Sequence, residues 1–164
     1  MAWAGTTVTA QVLELLNAPD GLNACIATLA QAGNLVLPQL APGQIVAQNV
    51  SIEIAERSTG VKYPSVSIYC EKIVNQLKEK FRNFSGKAVM VIEVRVSQDR
   101  LEQIEQQVQV YVDAVTQVLD QNRGDWGEGS YYAGCYEASF AAVRHGGQNF
   151  IQSGKVTFDV GVSD

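Results

Sequence analysis

The chain has 164 residues, 46% of them hydrophobic and 18% charged, which is the composition of one globular domain rather than of a disordered segment. Nothing in it approaches the run of about 20 apolar residues that a membrane span needs, and the start lacks the basic and apolar regions of a secretory leader, so a soluble intracellular protein is expected. A net charge of -5 excludes a binder that grips nucleic acid by neutralising phosphates, although an acidic surface suits a protein that must let a polyanion slide past.

The N-terminal stretch from Thr7 to Asn17 places Val8, Val12, Leu15 and Leu16 at helical spacing, with Thr6 or Thr7 able to cap the first amides. Pro19 ends that helix, Asp20 can cap a second in which Leu22, Cys25, Ile26 and Leu29 share a face, and Gly33 offers a left-handed stop. Residues 1–33 therefore read as a helical hairpin, an extension to an α+β core over 45–163 within a single domain, 1–164.

Residues 34–44, with Pro38, Pro42 and Gly43, form an extended connector. In Val50 to Glu56 the apolar Val50, Ile52 and Ile54 alternate with Ser51, Glu53 and Ala55, which predicts the first strand. The polar, glycine- and proline-punctuated run Arg57 to Pro64 then reads as an exposed loop where partners touch, with Arg57 and Tyr63 as candidate contacts.

Val66, Ile68 and Cys70 alternate with Ser67, Tyr69 and Glu71 as a second strand, and the charged segment from Lys72 to Arg82 is either a helical turn or an extended excursion. Lys87 to Val96 is a strand with Ala88, Met90, Ile92, Val94 and Val96 on one face and Lys87, Glu93 and Arg95 on the other. A long helix follows from Asp99 to Asn122, on which Leu101, Ile104, Val108, Tyr111, Val115 and Val118 or Leu119 repeat at three and four residues. Ser97 or Asp99 caps it, Glu102 completes a capping-box pattern with Asp99, and Gly124 stands beyond its end.

After a glycine-rich turn, Arg123 to Ser130, two long strands, Tyr131 to Arg144 and Phe150 to Val162, form a hairpin joined at His145 to Gln148. The fold class expected is α+β: a mixed, mostly antiparallel sheet of four to five strands packed by one long helix, with the N-terminal helical hairpin.

The three cysteines, Cys25, Cys70 and Cys135, lie far apart among apolar neighbours, which indicates small buried hydrophobes and neither a disulfide framework nor a metal knuckle. The single histidine, His145, cannot build a multi-histidine metal site and reads as an exposed loop residue. Glycines 127, 129 and 134 lead into a strand without a following Gly-Lys-Ser/Thr, so they are turn or bulge glycines and not a phosphate cradle. Glu53 with Glu56, and Glu102 with Glu105, sit at ordinary solvated positions. Asn49 and Asn83 match the glycosylation pattern but lack a secretory leader to bring them to that chemistry. No catalytic, cofactor-binding or metal residues are assigned. Trp3, Trp126, Tyr131 and Tyr132 are large aromatics in or near turns and ends, which makes them, with Arg57 and Tyr63, candidate subunit contacts.

The run GVKYPSVSIYCEKI (Gly60 to Ile73), the block FSGKAVMVIEVRVSQDR (Phe84 to Arg100), the long helix and the closing RHGGQNFIQSGKVTFDVGVS together resemble small head-tail proteins of long-tailed bacteriophages. Over roughly residues 45–163 the order of strand, strand, long helix and C-terminal hairpin is similar to that of the lambda-type tail terminators, also called tail-to-head joining or tail completion proteins. The resemblance implies a homo-oligomeric ring, typically a hexamer, at the head-tail junction of a virion and assembled in the host cytoplasm. Such a ring caps the tail tube protein, meets the head-completion or connector protein, and lets double-stranded DNA pass through its lumen without tight binding. It implies no cofactor, no membrane and no active-site residues.

Three other readings have distinct signatures. A neck, head-completion or tail tube protein would share the architecture and differ in stoichiometry, a tube protein building long tubes. A small hydrolase would pair His145 as base with Cys135 as nucleophile. A stand-alone small-molecule binding module would need a deep apolar pocket within one subunit.

Overall fold

The computed structural model describes residues 3–57 and 60–164. The elements run α1 (Ala4–Asn17), α2 (Leu22–Ala32), a single 3-10 turn at Pro42–Gln44, β1 (Ile45–Ala47), α3 (Ile52–Arg57), β2 (Ser65–Asn75), β3 (Ser85–Gln98) and α4 (Ile104–Gln121). Five strands close the chain: β4 (Gly124–Gly127), β5 (Ser130–Tyr132), β6 (Tyr136–Phe140), β7 (Arg144–Gly146) and β8 (Asn149–Ser163). The fold is α+β with one mixed, mostly antiparallel sheet, as the sequence indicates, but among the described residues it has eight strands where four to five are expected, with β2, β3 and β8 long and the other five of only three to five residues.

The sheet runs β1-β2-β3-β8-β5-β4, and among the described residues only the β1–β2 pair is parallel. β8 is its spine. Along one edge it pairs with all of β3, from Gln98 opposite Phe150 to Ser85 opposite Ser163. Along the other it carries β7, β6 and β5 in succession.

One apolar cluster joins both layers. Ala88, Met90, Ile92, Val94 and Val96 of β3 and Val156, Phe158, Val160 and Val162 of β8 alternate inward, as the period of two requires. Above them lie Ile104, Val108, Tyr111, Val112, Val115, Val118 and Leu119 of α4. Val8, Val12 and Leu16 of α1 and Leu22, Cys25 and Ile26 of α2 belong to the same cluster, so the helical hairpin shares its core with the sheet.

Several expectations need correction. The alternation at Val50 to Glu56 forms no strand: Ile52–Arg57 is the short helix α3, with Ala55 N–H donating to Ser51 O at 3.0 Å. The pattern was too short to separate two periods, since Ile52 is buried while Ile54 is 61% exposed, and Glu53 and Arg57 sit at the ends a helix dipole favours. The sheet edge falls instead to Ile45–Ala47. In the expected loop over Arg57 to Pro64, Ser58 and Thr59 lie outside the described residues, and Arg57 is the last residue of α3. The segment after Cys70 continues as strand to Asn75 past an irregularity between Cys70 and Lys72.

α4 begins at Ile104, not Asp99, and no side chain caps it. Gln98 donates from Nε2 to the carbonyls of Arg100 and Glu102, at 2.6 and 2.7 Å, and so holds a turn where the capping box was expected. Leu101 is left 58% exposed. The first two helices start behind Trp3 and Gly21 rather than Thr6, Thr7 or Asp20, and the left-handed residue after α2 is Asn34 at φ 52, not Gly33 at φ -87. The expected long strand from Tyr131 to Arg144 is three strands. Gly134 breaks the first junction with φ 106, and a Cβ there would stand 2.8 Å from Arg123 Nε.

Gly154 lets α4 approach β8 closely: a Cβ there would stand 2.7 Å from Val112 Cγ2 and 3.0 Å from Val108 Cγ1. Gly154→Ala is expected to destabilise the fold by about 1–3 kcal/mol through overpacking. Gly161→Ala meets only an ordinary contact, 3.5 Å from Tyr131 O, and should stay within about 0.5 kcal/mol of wild type. Urea unfolding midpoints of the two variants check the difference; equal midpoints would remove the close-approach account.

Candidate subunit interface

The sheet face turned away from the helices is not simply solvated. Glu93 and Arg95, expected on the face opposite Ala88 to Val96, are each 5% exposed, and Val89 and Val91 beside them are buried too. Arg95 donates from Nη2 to Glu93 Oε2 at 2.9 Å and also to Val50 O, which ties the segment leading into α3 down onto the sheet. A second pair, Arg144 Nη1 to Glu53 Oε1 at 2.6 Å, joins β7 to α3 across the same end of this face. The Glu53 carboxyl is held below its ordinary value, first by its own backbone amide and then by Arg144.

Under α3 lies a partly open cavity of about 400 Å³, lined in part by Gln44, Val50, Lys62, Ser67 and Arg95. Its lining is as polar as it is apolar, unlike the deep hydrophobic pocket that a small-molecule module would need. Among the described residues no group of three or more His, Cys, Asp and Glu could hold a metal ion, and no helix is long and apolar enough to cross a membrane.

The candidate contact residues separate into three groups. Trp3 (76% exposed), Tyr131 (57%) and Arg57 present accessible side chains. Trp126 and Tyr63 are half-buried. Trp126 donates from Nε1 to Asn122 O at 2.7 Å, and its ring lies 5.4 Å from that of Tyr132. Burial pushes the Tyr63 phenol up, the Glu56 carboxylate adds to the shift, and Arg95 opposes it. Tyr132 leaves the candidate set: it is fully buried, edge-on to Phe158 in the core, and no neighbour can reach it. A position beside a turn misled here, because the side chain at 131 points out and that at 132 points in.

Cys25 is buried and Cys70 half-buried, but Cys135 is exposed, contrary to expectation. His145 is exposed, as expected, and packs edge-on against Phe150. His145 stands opposite Phe150, whereas Tyr136, next to Cys135, stands opposite Phe158, eight residues farther along β8. At about 3.3 Å per residue that is about 26 Å, so the two are not brought together as base and nucleophile.

Free strand edges are the feature that sequence reasoning did not locate. β6 pairs only with β8, and all five of its residues are exposed, including Tyr136 and Phe140. At the far side of the sheet β1 covers β2 only over Val66 to Ile68, which leaves Cys70 to Asn75 unpaired on that side. The sequence signal was the short alternation of Tyr136, Ala138 and Phe140 with Glu137 and Ser139, hidden inside one long expected strand.

Two outcomes follow from the ion pairs of this face, one buried and one partly exposed. Glu93→Ala leaves the Arg95 charge buried without its carboxylate and is expected to cost about 3–5 kcal/mol. Lys87→Ala, which breaks the partly exposed pair with Asp159, should cost no more than about 1 kcal/mol, and denaturant titration ranks the two.

Burial pushes Tyr111 and Tyr132 up to about 12 from the ordinary 10, with Asp120 and Tyr136 adding to Tyr132. The folded chain then keeps protons that the unfolded chain releases, so their contribution to stability is complete below pH 10 and is lost as pH rises towards 12. Tyrosinate absorbance should show these two of the six tyrosines ionising last, together with unfolding; ionisation of all six in the folded protein near pH 10 would contradict their burial. No protein-family model matches the chain, and no curated protein matches it significantly.

Proposed function

We propose that this chain is a structural, non-enzymatic subunit of a phage head-tail junction, a tail terminator that assembles head to tail into a ring, typically a hexamer. The observation that carries the reading is the sheet: its helix-covered face is committed to the core, while strand edges stay unpaired on both sides of the same subunit. A subunit with one donor edge and one acceptor edge can add copies in a single rotational sense, and such contacts form a closed ring if the rotation closes.

In this role one rim of the ring caps the last ring of tail tube protein and stops its growth, and the other receives the head-completion or connector protein. Double-stranded DNA crosses the lumen. The net charge of -5 per subunit supports passage without tight binding, because a phosphate backbone gains nothing by stopping there. The related tail tube and neck readings are the close competitors.

Light scattering of the purified protein, followed by negative-stain electron microscopy, tests the proposal. A single closed ring that does not lengthen, and that halts tube growth when added to polymerising tail tube protein, is the expected result. Long tubes formed by this chain alone would establish the tube-protein reading instead, and a monomer at every concentration and in the presence of tube protein would overturn the assembly reading altogether.

A further inference from the structure

We infer that neighbouring copies join by antiparallel pairing of β6 of one copy with the unpaired stretch of β2 of the next, with Tyr136 opposite Ile73 and Glu137 opposite Lys72. The inference rests on the ring reading and specifies its contact.

The backbone sets which groups are available. Ala141 N–H donates to Ser153 O at 3.0 Å, and the β6–β8 register continues in the same phase, so Glu137 and Ser139 bond towards β8. Tyr136, Ala138 and Phe140 therefore turn their N–H and C=O groups outward. On β2, Gln76 N–H donates to Ser85 O at 3.0 Å, which places Val74 and Lys72 in bonded pairs with β3 and turns Ile73 outward. β6 thus presents three outward-bonding residues, and β2 presents Ile73 and Asn75 up to the irregularity at Glu71.

Direction and face agree as well. β2 is antiparallel to β3, β3 to β8 and β8 to β6, so β6 runs antiparallel to β2, and a rotated copy that continues the sheet brings the two edges together antiparallel. Tyr136 stands opposite Phe158, and Ile73 opposite Ala88, both on the helix-covered face. Glu137 stands opposite Thr157 and Lys72 opposite Val89, both on the other face. Pairing therefore sets apolar against apolar on one face and carboxylate against ammonium on the other.

The β2 edge also has a receptor for an aromatic ring. Beside it, on the helix side, an open, mainly apolar groove of about 620 Å³ runs between α1 and the strand, lined by Gly5, Thr9, Leu13, Cys70 and Ile73 among others. Tyr136, 39% exposed in one copy, is the side chain that this register delivers to the groove of the next. In the β3 ladder the row of Glu137 passes through Val91 and that of Lys72 through Val89, so the copies are staggered by two residues, about 7 Å. Strands tilted around a closed ring supply a stagger of that kind.

Disulfide trapping tests the register. In a background with Cys70→Ser and Cys135→Ser, the pair Lys72→Cys with Glu137→Cys should form, on oxidation, a ladder of covalent multimers that ends at the ring number, while either cysteine alone stays monomeric on a denaturing gel. Ala138→Pro, which removes only an outward N–H from an edge strand, should abolish the ring by light scattering while the unfolding midpoint persists. Glu137→Lys should weaken the ring, and adding Lys72→Glu should restore it. A wild-type ring that survives Ala138→Pro and gives no ladder overturns this contact and leaves the ring reading standing. A wild-type monomer at all concentrations overturns both.

Discussion

Nearly every feature of this molecule hangs on the ladder between β3 and β8, in which each residue of β3 faces a partner on β8. Two long central strands held in one register fix which side chains point at the helices, because a slip of β8 by a single residue along β3 would turn Val156 and Phe158 out of the core and Lys155 into it. Gly154 occupies its place in that ladder for the same reason: the close approach of Val108 and Val112 is possible only where the register sets a residue without a side chain. The remaining strands are added to this pair, and they end where their own sequences stop supporting extended backbone.

The two faces of the ladder are sealed by different physics. On the helix side, burial of aliphatic and aromatic surface drives packing and is tolerant of direction. On the other side the burial of Glu93 and Arg95 carries a desolvation penalty that their mutual attraction offsets only in good geometry. What the pair contributes is position: Arg95 reaches Val50 O and so sets the path of the chain into α3, which Arg144 of β7 then meets through Glu53. An apolar pair at 93 and 95 could fill the same volume, but it would leave that carbonyl without its donor.

Elements long enough to show their period were legible in the sequence. The alternation from Ala88 to Val96 and the three-and-four spacing from Ile104 to Leu119 each run through enough turns or pleats that only one period fits. Val50 to Glu56 did not meet that condition, since Ile52, Ile54 and Ala55 satisfy a strand and a helix alike. Caps failed for another reason: a side chain such as Asp99 announces a helix start only if its neighbours leave it free to turn inward, and Gln98 bonds the carbonyls of 100 and 102 first. The second burial of β3 was invisible because a Glu and an Arg at alternate positions read as solvated unless a distant carbonyl, here that of Val50, is known to approach. The candidate contacts were read from residue size and proximity to turns, which marks Trp3 and Tyr131 as accessible but cannot separate Tyr131 from Tyr132 without knowing which face the strand presents.

Unpaired strand edges invite pairing with the wrong chain, and this sheet carries the usual protections at both: Glu137 on one side, Glu71 and Lys72 on the other, and an irregular register between Cys70 and Lys72. Those protections are also selective. Two β6 edges meeting each other would bring two Glu137 carboxylates to the same face of one short ladder, so two β6 edges repel. Only unlike edges combine opposite charges with a groove on one side and an exposed aromatic ring on the other. In the proposed assembly this disfavours a two-fold contact through β6, in which the edge would meet its own copy, relative to head-to-tail contact, whose end state is decided by the rotation from one copy to the next. Under that proposal the Glu137 charge that keeps one β6 edge from another is the same one that pairs with Lys72 and sets the direction of the contact.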